Sequence, residues 1–545
     1  MQGESPMKQL VTSRRNALKL GALGLAGAAA PVRGASGGSG FTHNVASGEP
    51  GPDRVLLWTR YAAPADTALS WEVAGDEAFA RIVASGETIA SPARDGCAKA
   101  WAEGLKPGRY HYYRFTAPDG TRTPTGRTKT LPKGRVGRFR MAVFSCSNFG
   151  FGWFNAYAHA GEADEFDLAV HLGDYFYEYK RGEYPEPGEG IDARALHPEG
   201  EAMTLEGYRE RLATYRSDPD LQQLHAMYPV IAMWDDHEVA NDTWKDGAEN
   251  HQPEEGDFPT RLRMAEQAWR EWLPVSDNYW ESYEIGNLAS LYRLETRHVG
   301  RDQPFDLGKV IKAAPPGKIN EALIAFRDGA WRDPSRGLLG EEQEGWLARS
   351  LKQSTRAGKR WQVLAQEVIM GSLTLPDLVT QAPERADPRV RAALAARATA
   401  SKVGLPLNMD AWDGYPAARE RLYRAAIAAR ANLVVLSGDS HNAWAFDLDL
   451  DGQPVGVELA GHSVTSPGAE DSLPWIKPEL LAAETVKRNA QLKWCDTAQR
   501  GYMAVELTPK AVTGEYRFLA SVRQRRAGIA GTHRMTVRAG KRKFS

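Results

Sequence analysis

Four short polar clusters, each closing an apolar strand-like run, constrain this chain most: Ser145-Cys146-Ser147-Asn148, Gly173-Asp174-Tyr175-Phe176-Tyr177, Trp234-Asp235-Asp236-His237-Glu238 and Gly438-Asp439-Ser440-His441. A strand that ends this way delivers its donors to the edge of a sheet. Several such ends, together supplying carboxylates, a thiol, a phenol and imidazoles, are how a layered α/β domain assembles a two-metal hydrolytic site. Taken singly, each cluster has a plainer explanation: a turn aspartate, a packed cysteine or a buried histidine. The set points to phosphoester hydrolysis.

The pattern along the chain changes near 131–138. Before it, over 41–132, short alternating runs at 54–60, 69–73 and 109–115 are separated by turn residues, which predicts a small antiparallel sandwich of immunoglobulin or fibronectin type. After it, apolar runs at 167–172, 230–234, 361–364, 432–436 and 455–459 read as buried strands. Helical stretches lie between them at 205–215, with Thr204 as N-cap, at 261–273 and at 341–353. The expected catalytic domain covers 137–520, with a basic extension at 521–545 whose alternating residues read as a solvated terminal strand. The segments 184–200, 245–257 and 375–412, rich in Pro, Gly and charge, are expected as long loops rimming the site.

Ser13-Arg14-Arg15-Asn16-Ala17-Leu18-Lys19, followed by a short small-residue run, is a twin-arginine export pattern. It predicts a signal peptide over 1–35, passage through the twin-arginine machinery, and a periplasmic or secreted location. Nowhere is there a stretch of roughly 20 apolar residues, so no membrane anchor is expected. The leader's removal leaves about 510 residues, enough for more than one domain. A net charge of −1 provides no basic face for nucleic acid. Three cysteines in an exported chain do not make a disulfide framework; Cys97 and Cys495 are expected free or buried, whereas Cys146 keeps the company of a site.

The clusters, together with Asn44-Val45-Ala46-Ser47-Gly48-Glu49-Pro50, Trp412-Asp413-Gly414-Tyr415-Pro416 and Ser463-Val464-Thr465-Ser466-Pro467-Gly468, resemble the calcineurin-like metallophosphoesterases, and within them the PhoD-type alkaline phosphatase and phosphodiesterase group. The resemblance runs from about residue 41 to about 518. It implies a four-layered αββα sandwich preceded by the small all-β domain. It also implies that Cys146, Asp174, Tyr177 and His441 hold Fe³⁺, and that Asp174 bridges to a second cation completed by Asp236 and Asp439. The superfamily's usual Asp-x-His, Asn-His-Glu and Gly-His-x-His clusters are replaced here by Cys, Asp-His-Glu and Gly-Asp-x-His. Two imidazoles have given way to oxygen donors, which favours Ca²⁺, or Mg²⁺ or Mn²⁺, over Zn²⁺ at the second position. Where the superfamily often has a further His, this chain has Gln366-Glu367, and neither is assigned as a ligand.

The expected chemistry is in-line attack on phosphorus by a hydroxide held between the metals, with His237 bonding a phosphate oxygen or protonating the departing alkoxide. Asp235 and Glu238 are expected as braces, and Asn148 and Asn241 as contacts to phosphate oxygens. Three functions compete: a phosphate-scavenging monoesterase and diesterase; a phospholipase-D-like enzyme for lipid or envelope diesters; and a non-catalytic envelope-binding protein.

Overall fold

The strands that carry the clusters are apolar on both faces: Leu168–Leu172, Pro229–Met233 and Leu433–Ser437 are buried at every position. Such strands are stable only inside a sheet covered on both sides. In the computed structural model, which describes residues 40–376, 378, 383 and 388–545, they form the middle of two large sheets.

The first sheet has nine strands. From edge to edge they are Ile529–Arg538, Ala511–Leu519, Gly501–Leu507, Phe139–Phe144, Leu168–Leu172, Pro229–Met233, Gly40–Gly48, Arg54–Ala62 and Cys97–Glu103. The second has seven, in the order Glu281–Ile285, Ala289–Arg293, Trp361–Ala365, Leu433–Ser437, Gln453–Ala460, Ala443–Leu450 and Leu492–Asp496. Their central strands are parallel, with Phe144 beside His171, Leu172 beside Met233, and Ala365 beside Leu436. Each sheet therefore gathers its strand ends along one edge.

Between the sheets lies an apolar layer in which Met141, Val143, Val170 and Ile231 of the first pack with Leu291, Val363, Val434 and Val457 of the second. The outer face of the first sheet is covered by helices Asn155–Ala163, Leu205–Arg216, Pro219–Met227 and Phe258–Trp272, through Tyr157, Tyr208, Leu212, Leu221 and Trp269. The outer face of the second is covered by helices Glu341–Arg356 and Pro416–Ala429, through Leu347, Leu351, Leu422 and Ala426. The result is the expected αββα stack.

Local signals explain most boundaries. Thr204 caps its helix by accepting from the Gly207 N–H. The helix expected from 261 begins at Phe258 because Asp257 caps it and Pro259 is tolerated in the first turn. The stretch 375–412 is not wholly loop, since Pro388–Lys402 is helical; its alanines and arginines carry helix propensity that the flanking Pro and Gly obscured. The N-terminal strands are all-β, as expected, but divide between two sheets. Ile82–Ala90, Thr67–Ala74, Tyr110–Thr116 and Gly126–Lys129 form a four-stranded sheet of their own, while Gly40–Gly48 pairs in parallel with Pro229–Met233. The basic terminus supplies an edge strand, Ile529–Arg538, paired with Ala511–Leu519. Cys97 and Cys495 are buried free thiols. The segment 1–35, expected as a twin-arginine leader, lies outside the described residues, and among those described no helix is long and apolar enough to cross a membrane.

One buried ion pair ties the N-terminal strands to the second sheet. Arg293 donates to Glu49 at 2.6 Å, both side chains almost fully buried, and the Tyr283 hydroxyl donates to the same carboxylate. Removing one partner leaves an uncompensated charge in the core. Arg293→Met is expected to lower unfolding stability by about 3–5 kcal/mol, measured by urea denaturation followed through tryptophan fluorescence; a loss below about 1 kcal/mol would place the pair among surface-like contacts.

Candidate metal centre

The chain leaves each sheet edge through a turn that L-residues rarely adopt. Cys146, Asp174, Asp439 and His441 all have positive φ, at 57°, 51°, 62° and 60°. Non-glycine residues in this region are strained and persist only where their surroundings fix them. Here the loops hold one another: the Cys146 N–H donates to the Gly173 carbonyl at 3.2 Å and the Ser147 N–H to the Asp174 carbonyl at 2.8 Å. The turns bring four donors from two sheets to a common point.

Three groups of donor atoms result, each within 4.8 Å: Cys146 with Asp174 and His441, Asp174 with Asp236 and His237, and Asp235 with Asp236 and Asp439. Asp174 belongs to the first two and Asp236 to the last two, so the groups interlock. Tyr177 joins the first, its hydroxyl 2.9 Å from Asp174 Oδ2 and 3.1 Å from His441 Nε2, with Ser466 donating to it at 2.7 Å. His441 Nδ1 faces the Pro467 carbonyl at 2.8 Å. A carbonyl only accepts, so Nδ1 carries a proton and Nε2 is the ring nitrogen that faces the cluster.

These residues fit cations. Asp174 Oδ1, Asp235 Oδ2 and Asp236 Oδ1 are buried carboxylate oxygens with no hydrogen-bond partner among the described residues, a costly arrangement unless positive charge completes it. Burial, then the Asp174 charge, pushes the Cys146 thiol well above its ordinary pKa, and burial, then Asp235, does the same to Asp439. Asp242, whose N–H donates to Asp236 at 2.6 Å, is pushed up to about 8 by burial and the charges of Asp410 and Asp236.

Buried groups brace the donors. Glu238 accepts from the N–H groups of Asp174, Tyr175 and Asp235, locking the second and third loops together. His237 Nδ1 bonds Glu178 at 2.8 Å, and Glu178 also accepts from the Asn241 N–H. Burial alone would lower the His237 pKa; the carboxylates of Asp236, Glu178 and Asp174 overcome it and raise the imidazole well above its ordinary value. Sequence reading missed the centrepiece, Arg297. Fully buried, it reaches Asp235 at 2.5 Å, Asp410 at 2.8 Å, Asp439 at 3.4 Å and Asp236 at 3.7 Å. Nothing in Thr296-Arg297-His298 signals this; the one available hint is its place just beyond a buried strand, Ala289–Arg293.

Other residues singled out from sequence stand differently. Asn148 uses its amide on backbone groups, donating to the Tyr184 carbonyl of another loop and accepting from the Gly150 N–H of its own. Asn241 donates from its side chain to Glu249 at 2.8 Å. Gln366 is occupied at both ends, by the Val368 carbonyl and the Trp412 indole N–H. Glu367 accepts from Thr296 at 2.7 Å.

Known proteins carry the same organisation. The family model described as PhoD-like phosphatase matches residues 141–516, and that for the PhoD-like phosphatase N-terminal domain matches 27–132. The chain is 33% identical over 516 residues to alkaline phosphatase D of Bacillus subtilis (strain 168), covering 90% of this chain and 79% of that protein. It is similar to the solved structure of PhoD, with a TM-score of 0.75 and 30% identity over 93% of this chain and 92% of that one. The alternative of a non-catalytic envelope-binding protein is thereby set aside. The chain belongs to the PhoD-like phosphatase family and is a phosphatase.

Proposed function

We propose that this phosphatase acts outside the cytoplasm, releasing phosphate from monoesters and diesters with two unlike cations. The observation that carries the reading is the interlocking of the three donor groups through Asp174 and Asp236. Cys146, Asp174, Tyr177 and His441 would hold Fe³⁺, because thiolate and phenolate donors suit a trivalent ion. Asp174, Asp236 and Asp439 would hold the second ion, and an all-oxygen set suits Ca²⁺, with Mg²⁺, Mn²⁺ and Zn²⁺ as alternatives. Bound there, the two cations supply Lewis-acid charge to the phosphoryl oxygens and acidify a water.

The chain's own groups do the rest. Asp174, Asp236 and Asp439, presented from the edges of two sheets, would hold the cations to which phosphoryl oxygens bind. His237, oriented by Glu178 at 2.8 Å, is placed to donate a proton to the departing alkoxide. Asn148 and Asn241 would contact phosphate oxygens only after their amides turn from their present partners. Export rests on Arg14-Arg15 of the leader. The lipid-diester reading draws no support from the exposed large apolar side chains, of which Ile82, Val83, Ile89 and Trp101 lie on N-terminal strands.

Three measurements test this reading. On enzyme exported by its own leader, p-nitrophenyl phosphate and bis-p-nitrophenyl phosphate are both expected to be cleaved, and Asp174→Asn to lower each rate by at least about 10³-fold, comparable to the loss of a principal charge-stabilising group. A dominant diester rate would move the natural substrate to envelope or lipid diesters. The holoenzyme is expected to show a visible charge-transfer band, with Cys146→Ala losing both band and iron; a colourless, fully active protein would overturn the iron assignment. His237→Gln is expected to slow esters of poor leaving groups about 10²-fold and p-nitrophenyl phosphate much less, with metal content retained. Loss of the second metal would make His237 a ligand instead.

A further inference from the structure

Helix Leu205–Arg216 ends on a guanidinium that is fully buried, and its Nε, Nη1 and Nη2 have no hydrogen-bond partner among the described residues. Other buried arginines are answered: Arg211 by the carbonyls of Tyr179, His197 and Pro198, Arg293 by Glu49, and Arg297 and Arg301 by Asp410. An arginine in the last turn of a helix can bond the closing carbonyls, but here others serve them. The Ser217 N–H reaches Ala213, Thr214 and Tyr215, and the Gln222 amide donates to the Arg216 carbonyl at 2.8 Å. The flat face of Arg216 lies over the Trp58 ring, its Cζ 4.5 Å from the centroid. That cation–π contact covers a face and leaves unmet the N–H groups, which point outward in the plane.

The surroundings add no counter-charge. Arg216 acts on His43, His225, Tyr113 and Cys97, which places these groups around it. Burial, then Arg60 and Arg216, lowers the His43 pKa to about 3; burial, then Arg216, lowers His225 well below its ordinary value; burial raises Tyr113 and Cys97. All are uncharged near neutral pH, whereas a guanidinium keeps its proton. His225 supplies a further donor. The Tyr175 hydroxyl lies 2.9 Å from its Nε2, and with that hydroxyl donating, Nδ1 carries the proton; Nδ1 has no partner among the described residues. The indole N–H of Trp272, whose ring lies 6.2 Å from that of Trp58, is likewise without one.

A fixed positive charge among neutral groups, with only N–H donors directed at it or from it, is completed by a single negative charge. A doubly charged phosphate would leave one charge in excess. Trp58, Tyr113, His225 and Trp272 are all buried, which favours a compact ion that has shed its water over a larger oxyanion.

We propose that Arg216, with His225 beside it, holds a buried halide, chloride under ordinary conditions, where strand Arg54–Ala62 meets helices Leu205–Arg216 and Pro219–Met227. The ion acts as the counter-charge that seats the N-terminal strands on these helices, and it is independent of the phosphoester reading.

The test uses the full, metal-replete enzyme moved from gluconate into chloride or bromide at constant ionic strength. The thermal midpoint is expected to rise by about 2 °C or more in either halide, and crystals grown in bromide to show an anomalous-scattering peak in contact with Arg216. Arg216→Met, which removes the charge and keeps an apolar side chain over Trp58, is expected to lose both the halide response and the peak. A bromide crystal with only water, or nothing, at Arg216 would overturn the site whatever the melting data show, and it decides the matter even if Arg216→Met fails to fold. A halide response retained in Arg216→Met, or an equal response to sulfate, would overturn it as well.

Discussion

The cluster of carboxylates at this centre can be buried because one guanidinium is buried among them. Arg297 touches Asp235, Asp236, Asp410 and Asp439 and has no exposure of its own. Arg301, also fully buried, adds a second cation against Asp410. An isolated carboxylate in the interior costs several kcal/mol, and a guanidinium is suited to offset that cost because it stays charged and presents several donors in a plane. Two guanidinia still fall short of neutralising Asp174, Asp235, Asp236, Asp410 and Asp439. The oxygens of Asp174, Asp235 and Asp236 left without partners among the described residues mark where the remaining positive charge belongs. Arg297 is what makes this concentration of buried carboxylates tolerable.

Arg297 also decides how the two halves of the sandwich meet. It follows a strand of the seven-stranded sheet, Ala289–Arg293, yet its shortest contact, at 2.5 Å, is to Asp235, which follows Pro229–Met233 of the nine-stranded sheet. Cys146 and Asp174 come from the first sheet, Asp439 and His441 from the second. The donor spacing is therefore set by the apolar layer between the sheets, where Val170, Ile231, Val363 and Val434 pack. Interiors of this density resist sliding by even a methylene's width. The positive-φ turns and the Glu238 and Glu178 braces refine a geometry that the core has already fixed.

What the sequence discloses follows from the range of the interactions. Runs such as 167–172 and 432–436 declare themselves because a strand buried on both faces has no polar position to hide, and the polar residues after them declare the site by contrast. Thr204 is legible because capping reaches only three residues. By contrast, Arg297 meets Asp235 across 62 positions and Asp410 across 113, and no local pattern separates it from the many arginines on the surface. The division of the N-terminal strands is hidden for the same reason: Ser47 pairs with Pro229, a partner far along the chain. Helix Pro388–Lys402 was obscured differently, by neighbours whose Pro and Gly outweighed its alanines.

The strain at the centre bears on why the donors are where they are. Cys146, Asp174, Asp439 and His441 each hold a conformation that costs on the order of 1 kcal/mol or more, and none of them is glycine, the residue that would relieve it. A glycine has no side-chain donor to offer, so the strain is inseparable from the presence of a donor side chain at that point of the turn. Arg430, at the end of its helix, and Asp451, in a hairpin, also have positive φ, but neither belongs to a group of metal-donor side chains among the described residues. It is the convergence of four such residues from two sheets, rather than any one of them, that sets this candidate metal centre apart from ordinary turns.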